Sequence, residues 1–348
     1  MIFGKKGVIG IDIGSSAIKL AELKDSRKGF ELKSIGEALL PENSIINKVI
    51  AKNAAVSETI VTLLQDLGVK SKNVAISISG NSVIIKKVTL PKMSESELKE
   101  SIPWELEQYL PQSIEDVNYD FQVLPNSTDD GNMDVLIVAA KKDIANSYIS
   151  LVSSIGLNPI VLDVDAFALE NTYEINYERE PGILALANIG ASVTNINVLK
   201  NGVSVFTRDV SVGGNQFTEW LMKDMNLSYE ESEQKKYTLN NDDKSDDLDR
   251  ISNDFVDLLT GEIKRTLDFF SSNFWKEKVN KMIISGGSSK VPNTKEVLEE
   301  ITDIPVEILN PFRNISYSNL DFDPKYLSEI APKMGVAVGL ASRRFGDG

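Results

Sequence analysis

Asp12, Gly14, Ser15, Ser16 and Lys19 fall together in VIGIDIGSSAIKL, residues 8–20. A carboxylate at a strand end suits the water shell of Mg²⁺, which dehydrates reluctantly and is held through few carboxylates. The glycine lets the chain turn sharply and present its amides to an anion. Serine hydroxyls donate to phosphate oxygens, and a lysine adds a point charge. The same residues also suit a plain hairpin whose aspartate caps the turn.

The pattern occurs twice. ILALANIGASVTNINVL matches IGIDIGSSAIKLAEL at an offset of 176, with Gly190 on Gly14 and Ser192 on Ser16. Two facing hairpins of this kind can clasp a phosphate chain between two lobes, and an offset near half the chain points to two related lobes rather than a repeat array. Asn188 stands at the repeat position of Asp12. An amide accepts no proton from water at neutral pH and is a poorer partner for hydrated Mg²⁺. A strand and turn kept for packing alone gives the same residues.

Three further stretches could bind or hinge. Ile284-Ser285-Gly286-Gly287-Ser288-Ser289 puts two glycines between a buried strand and a helix, where a flat base can approach and the helix N-terminus favours an anion. Glu262 and Arg265, three apart on one helical face, could reach ribose hydroxyls and the base, or simply pair with each other. Ala331, Gly335 and Gly339 recur every fourth residue and make a smooth stripe for a second helix, with Ala166 and Ala168 as candidates to face it. Crossed helices of that kind would form a hinge between lobes.

The bulk composition narrows the chemistry. The 348 residues carry 37 Lys and Arg against 51 Asp and Glu, a net charge of −14, which argues against nucleic acid or anionic lipid as main ligand. There is no cysteine and no histidine, so thiol catalysis, a Ser-His-Asp triad and imidazole or thiolate metal sites are excluded. Carboxylates, lysines, hydroxyls, backbone amides and a hard cation remain. No apolar run reaches membrane-spanning length and the start lacks a signal-peptide core, so a cytoplasmic address is expected.

These groups need an α/β framework to position them. VIGIDIG, AIKLAELK and GFELKSIGEALL read as strands, NKVIAKNAAVSETIVTLLQDLG as a helix ending at Gly68, and NVAISIS as a strand. Residues 83–161 read as an inserted βαββαβ unit whose helix SESELKESIPWELEQYL has Leu98, Ile102, Leu106 and Leu110 on one face. Segment 224–260 is acidic and polar, with NNDDKSDD at its centre, and reads as a solvated excursion.

Hairpin, connecting helix, second hairpin, Gly-Gly turn, connecting helix: this order resembles the actin-like ATPase superfamily, which includes actin, sugar kinases and FtsA. Within it the chain is similar to the PilM family of type IV pilus assembly proteins. IGIDIGSSAIKLAEL, IPWELEQYLP, VLDVDAFALEN, GEIKRTLDFF and MGVAVGLASRR carry the resemblance.

It implies a two-lobed, ribonuclease-H-like fold of four subdomains. These are 1–82 as subdomain 1A, completed by a helix over 328–345; 83–161 as an inserted 1C subdomain; 162–223 as 2A; 224–270 as 2B; and 271–327 as a return to 2A. It implies ATP and Mg²⁺ in the cleft, with Asp12, Gly14, Ser15, Ser16 and Lys19 at the phosphates and Asp12 on the metal through water. Asn188 and Gly190 would lie in the second phosphate loop, Gly213 and Gly214 beside it, and Glu262, Arg265, Gly286 and Gly287 at ribose and adenine. Asn188 departs from the family's usual aspartate, which implies slow or absent hydrolysis.

The implied partner is the cytoplasmic N-terminal peptide of the inner-membrane protein PilN, in a groove made partly by the inserted unit, with the helix around Trp104 and Tyr109 as a candidate wall. Other pilus assembly proteins are further implied partners, and the implied place is the inner face of the cytoplasmic membrane, reached through protein partners. A small-molecule kinase and an FtsA-like filament protein are the alternatives.

Overall fold

Ile9–Ile13 shows no polar–apolar alternation beyond one aspartate, the pattern of a strand covered on both faces. In the computed structural model it is strand β1 (Ile9–Ile13), buried along its whole length. The structure describes residues 7–27, 29–124, 131–238, 245–275, 278–318 and 320–344. Strands β2 (Ala17–Ser26) and β3 (Gly29–Leu39) follow as antiparallel neighbours.

Next comes a small hairpin, β4 (Ile45–Ile46) and β5 (Val49–Ile50), then helix α1 (Asn53–Asp66) and strand β6 (Asn73–Ile78), which joins β1 in parallel. The hairpin occupies residues expected to open the helix. Asn47 and Lys48 sit at its tip with φ of 50° and 66°, the left-handed pair that a two-residue hairpin turn requires.

The inserted unit is shorter than the sequence pattern suggests. Strands β7 (Val83–Pro91), β8 (Val117–Val123) and β9 (Asn132–Lys141) form a separate sheet in the order β7-β9-β8, covered by helix α2 (Glu95–Glu107) through Leu98, Ile102 and Leu106. Helix α3 (Lys142–Ser154) and strand β10 (Asn158–Val164) return to the first lobe. β10 pairs in parallel with β6, and Ile144, Tyr148, Leu151 and Val152 of α3 pack with Ile9, Ile11 and Ile76. The unit therefore closes at 141 rather than 161. A βαββαβ order is silent about which sheet its last strand joins.

Helix α4 (Asp165–Asn176) leads to the second lobe, where β11 (Ile183–Ile189), β12 (Thr194–Lys200) and β13 (Val203–Val210) form the same antiparallel meander as β1–β3. Helices α5 (Gly214–Met225), α6 (Tyr229–Thr238) and α7 (Asp246–Phe270) follow, then β14 (Lys281–Ser285), parallel to β11 as β6 is to β1. The sequence repeat is thus a repeat of sheet topology. The lobe finishes with α8 (Thr294–Thr302) and β15 (Val306–Ile308); β16 (Ile315–Ser316) crosses back to pair with β3.

The polar reading of 224–260 needs correction. α7 lays Leu248, Ile251, Phe255, Val256 and Leu259 into one core with the five-stranded sheet and α5. Its acids occupy the other face, so average composition conceals a helical stripe. Most of NNDDKSDD lies outside the described residues.

The end of the chain is two helices, not one over 328–345. α9 (Pro324–Ile330) and α10 (Gly335–Ser342) are separated by a tight turn at Ala331–Lys333, where Pro332 has no N–H to continue the ladder. α10 crosses α4 between the lobes, and a Cβ on Gly339 would stand 1.7 Å from the carbonyl oxygen of Ala168. No helix among the described residues is long and apolar enough to cross a membrane.

On α4, Glu170 accepts a hydrogen bond from Asn197 Nδ2 at 3.0 Å, and burial pushes its carboxyl up to about 8, with Asn197 opposing and Glu174 and Asp163 adding. The folded chain then keeps a proton that the unfolded chain releases near pH 4.3, so stability falls as pH rises from about 4.3 to about 8. Glu170→Gln is expected to be more stable than wild type at pH 8 by roughly 2–4 kcal/mol. The gap should close toward pH 4 in urea titrations across that range; a pH-independent gap would contradict the assignment.

Candidate functional site

The β1–β2 turn is closed by Gly14 N donating to Ala17 O at 3.1 Å, and the β11–β12 turn by Gly190 N donating to Val193 O at 3.1 Å. A Cβ at either glycine would lie 2.9 Å from that carbonyl oxygen, so the tightness of both turns depends on glycine. The two turns meet across the lobes, with Ser15 Oγ and Ser192 Oγ 2.9 Å apart.

They enclose a cleft lined by Asp12, Gly14, Ser15, Ser16, Lys19, Asn188, Gly190, Gly286 and Gly287. Gly286 has φ of +91°, and a Cβ there would lie 2.2 Å from Ile189 O and 2.8 Å from Asn188 Oδ1. Only glycine lets the backbone pass this close to the second hairpin. The space open to water-sized molecules is about 100 Å³, below the ~300–1,000 Å³ of small-molecule sites.

Gly213 and Gly214 do not line this space; they hold the second hairpin from behind. Gly214 N donates to Gly190 O at 2.9 Å, and a Cβ on Gly213 would meet Ala191 O at 2.6 Å. Glu262 and Arg265 are not at the cleft either. They form an ion pair on α7, with the Arg265 side chain 70% exposed. Trp104, a candidate groove wall, is 72% exposed on α2, and Tyr109 lies beneath the Lys86 ammonium at 5.6 Å.

Further charged residues complete the cleft: Asp165, from VLDVDAFALEN, with Glu37, Lys48, Glu233, Lys236, Lys290 and Lys333. α6 supplies a buried cluster in which Lys236 Nζ donates to Glu233 Oε1 at 2.6 Å, Thr218 Oγ1 at 2.7 Å and Gly214 O at 3.2 Å. This Glu–Lys pair, three apart on a helix, has the same spacing as Glu262 and Arg265. Spacing alone does not tell which pair faces the cleft.

Five lysines and four carboxylates line the cleft, a cationic surplus inside a chain of net charge −14. Lys19 Nζ donates to Asp12 Oδ2 at 2.9 Å. Burial lowers the Lys19 ammonium, but Asp12, Glu37 and Asp165 outweigh it, so its pKa is raised. Burial dominates at Lys236 and Lys333 and lowers both, against the pull of Glu233 and Glu37 respectively. Asp165 accepts from Ser77 Oγ at 2.6 Å and Ser79 Oγ at 2.5 Å and pairs with Lys48 at 3.4 Å. Burial opposes ionisation there, yet Lys48 and the two hydroxyls hold the carboxyl below the usual range. Among the described residues no three carboxylates converge as a metal cage.

A separate groove of about 260 Å³ runs beside the cleft, between Ile84–Lys86 of β7 and Thr207–Asp209 of β13, with Val164–Ala166 as its floor. β7 and β13 are each at the edge of a sheet.

Residues 10–345 match the family model for the type IV pilus assembly protein PilM. The chain belongs to the PilM family. The PilM-family chain also resembles a solved PilM-PilN type IV pilus biogenesis complex, with 27% identity, a TM-score of 0.85, and coverage of 96% of this chain and 97% of that one. The ethanolamine utilization protein EutJ from Carboxydothermus hydrogenoformans superposes with a TM-score of 0.58 at 14% identity, covering 97% and 89% of the two chains. MreB 5 of Spiroplasma citri, bound to AMPPNP, gives 0.50 at 11% identity, covering 89% and 93%. These last two likenesses establish the fold, that of actin-like ATPases.

Proposed function

We propose that this PilM-family protein is a nucleotide-binding scaffold of type IV pilus assembly that docks the N-terminal cytoplasmic peptide of a PilN-like inner-membrane protein. The observation that carries the nucleotide reading is the pair of glycine hairpins meeting at Ser15 and Ser192 in the lysine-rich cleft. Donors and charge there fit a phosphate chain. Asp12, Gly14, Ser15, Ser16 and Lys19 would hold it from the first lobe, and Asn188 and Gly190 from the second. Gly213 and Gly214 support the second hairpin. Gly286 and Gly287 would face the base, and Glu233 and Lys236, in place of Glu262 and Arg265, the ribose. Mg²⁺ would come with the phosphates and meet Asp12 through water, where it would neutralise phosphate charge.

Phosphates are held rather than cut, because Asn188 offers an amide where the first hairpin offers a carboxylate. Asn188→Asp is expected to raise phosphate release from Mg-ATP by at least about 10-fold, read by a coupled phosphate assay. An unchanged rate would show that hydrolysis is limited elsewhere.

The likeness to the PilM-PilN complex supports the peptide reading. Two sheet edges flank the groove beside the inserted unit, and unpaired edge N–H and C=O groups accept an added strand. Through such a partner the protein would sit at the inner face of the cytoplasmic membrane. Calorimetric titration with the N-terminal peptide of the PilN-like protein of the same organism, with and without Mg-ATP, tests this. Stoichiometric binding in either condition is expected; absence of binding in both removes the docking role.

A further inference from the structure

Asp165 and Asn195 each line both the cleft and the groove, so the two sites share a wall. On the cleft side, Asp165 is neutralised by Lys48 at 3.4 Å. Lys48 belongs to the β4–β5 turn, whose backbone is fixed by two left-handed residues and by Tyr148 OH donating to Lys48 O at 3.1 Å. Only its flexible side chain is free to follow a new anion.

On the groove side, Ser79 Oγ donates to Asp165 Oδ2 at 2.5 Å and the next residue, Gly80, donates its N–H to Asp209 Oδ2 at 2.7 Å. Asn195 Nδ2 reaches the other oxygen of Asp209 at 2.6 Å. Asp165, Ser79, Gly80, Asp209 and Asn195 thus form one hydrogen-bonded chain across the lobes. The groove's own cations are engaged with rings, Arg208 with Phe269 and Lys86 with Tyr109, and do not neutralise Asp165 in the structure.

We propose that Lys48 couples the two sites: an anion in the cleft draws its ammonium away from Asp165, and the uncompensated negative charge then favours a cationic group on a strand lying in the groove. A bound triphosphate therefore tightens binding of a peptide that carries an amine or guanidinium, and the peptide tightens the nucleotide equally. Asp165 is buried, so the low local dielectric strengthens the effect. This inference rests on the nucleotide and peptide readings proposed above.

The test is fluorescence polarisation of the labelled PilN-like N-terminal peptide on full-length protein, without nucleotide and with saturating Mg-AMPPNP. Wild type, Lys48→Met and Lys48→Arg are compared. Saturation removes any change in nucleotide affinity from the comparison, and thermal melts establish that each variant is folded. Wild type is expected to bind peptide about five-fold or more tightly with the analogue, Lys48→Met equally in both conditions, and Lys48→Arg with the coupling kept. Coupling that survives in Lys48→Met overturns the proposal. So does a wild type that binds both ligands independently, which leaves the nucleotide and peptide readings standing. If wild type fails to bind one of the ligands, that reading falls and takes the coupling with it.

Discussion

A Gly339→Ala protein is expected to lose about 3 kcal/mol or more of stability, or to fail to accumulate as folded chain. The added methyl would sit 1.7 Å from Ala168 O and 2.6 Å from Ala168 C. Both obstacles are backbone of α4, so no side-chain rotation relieves the clash. α4 cannot retreat without moving Leu169 and Tyr173 out of their cluster with Leu186 and Leu199. The other side of α10 is equally tight, since a Cβ on Gly10 of β1 would stand 2.1 Å from Ala337 O. Gly261→Ala on α7 is the matched control. Beyond its chain neighbours and its own helix backbone, no atom lies within 4 Å of its new methyl, and helix propensity alone should stabilise it by about 0.5–1 kcal/mol. Urea denaturation of the two variants decides the matter. A Gly339→Ala midpoint within error of wild type would mean that the lobes are not held by this close crossing.

Lys19→Met should lower the affinity for Mg-ATP by about 100-fold and destabilise the protein by roughly 3–5 kcal/mol. Two causes act together and can be separated. Loss of the ammonium leaves the Asp12 carboxylate, 8% exposed, without its partner at 2.9 Å. It also removes the cation of the first hairpin that is nearest Gly14, whose added Cβ would lie 3.2 Å from Lys19 Nζ. In the Asp12→Asn/Lys19→Met double variant no charge is stranded, so stability should recover while affinity stays low. Lys19→Arg should not restore full affinity, because a planar guanidinium needs more room beside Gly14 than an ammonium. A double variant that regains both properties would place the phosphate contact elsewhere.

What the sequence discloses is uneven, and the reasons are physical. The paired hairpins are legible because a tight turn demands glycine at the same place in each copy, and Gly14 and Gly190 close identical hydrogen bonds. The close helix crossing is legible in Gly335 and Gly339 because Leu169, Ser285 and Leu309 around the first and Ala168 and Thr172 around the second leave room for nothing larger. The destination of β10 is not legible, since an apolar strand suits either sheet until tertiary packing chooses β6. Nor is the wall of the cleft formed by α6. Glu233 and Lys236 resemble an exposed intrahelical pair, and only the fold of α6 against Thr218 and Gly214 buries them. The β4–β5 hairpin was hidden for a different reason. Ile45, Ile46, Val49 and Ile50 match helical spacing as well as a hairpin, and the left-handed conformations of Asn47 and Lys48 are set by tertiary context.

The nucleotide reading requires the two glycine hairpins to hold a nucleoside triphosphate between the lobes. Calorimetric titration of the wild-type chain with Mg-ATP addresses it most directly. The expected result is saturable binding of one nucleotide per chain, with a dissociation constant in the micromolar range or below. No heat up to millimolar Mg-ATP, together with an unchanged melting temperature, would contradict the claim and leave the cleft as packing between two lobes.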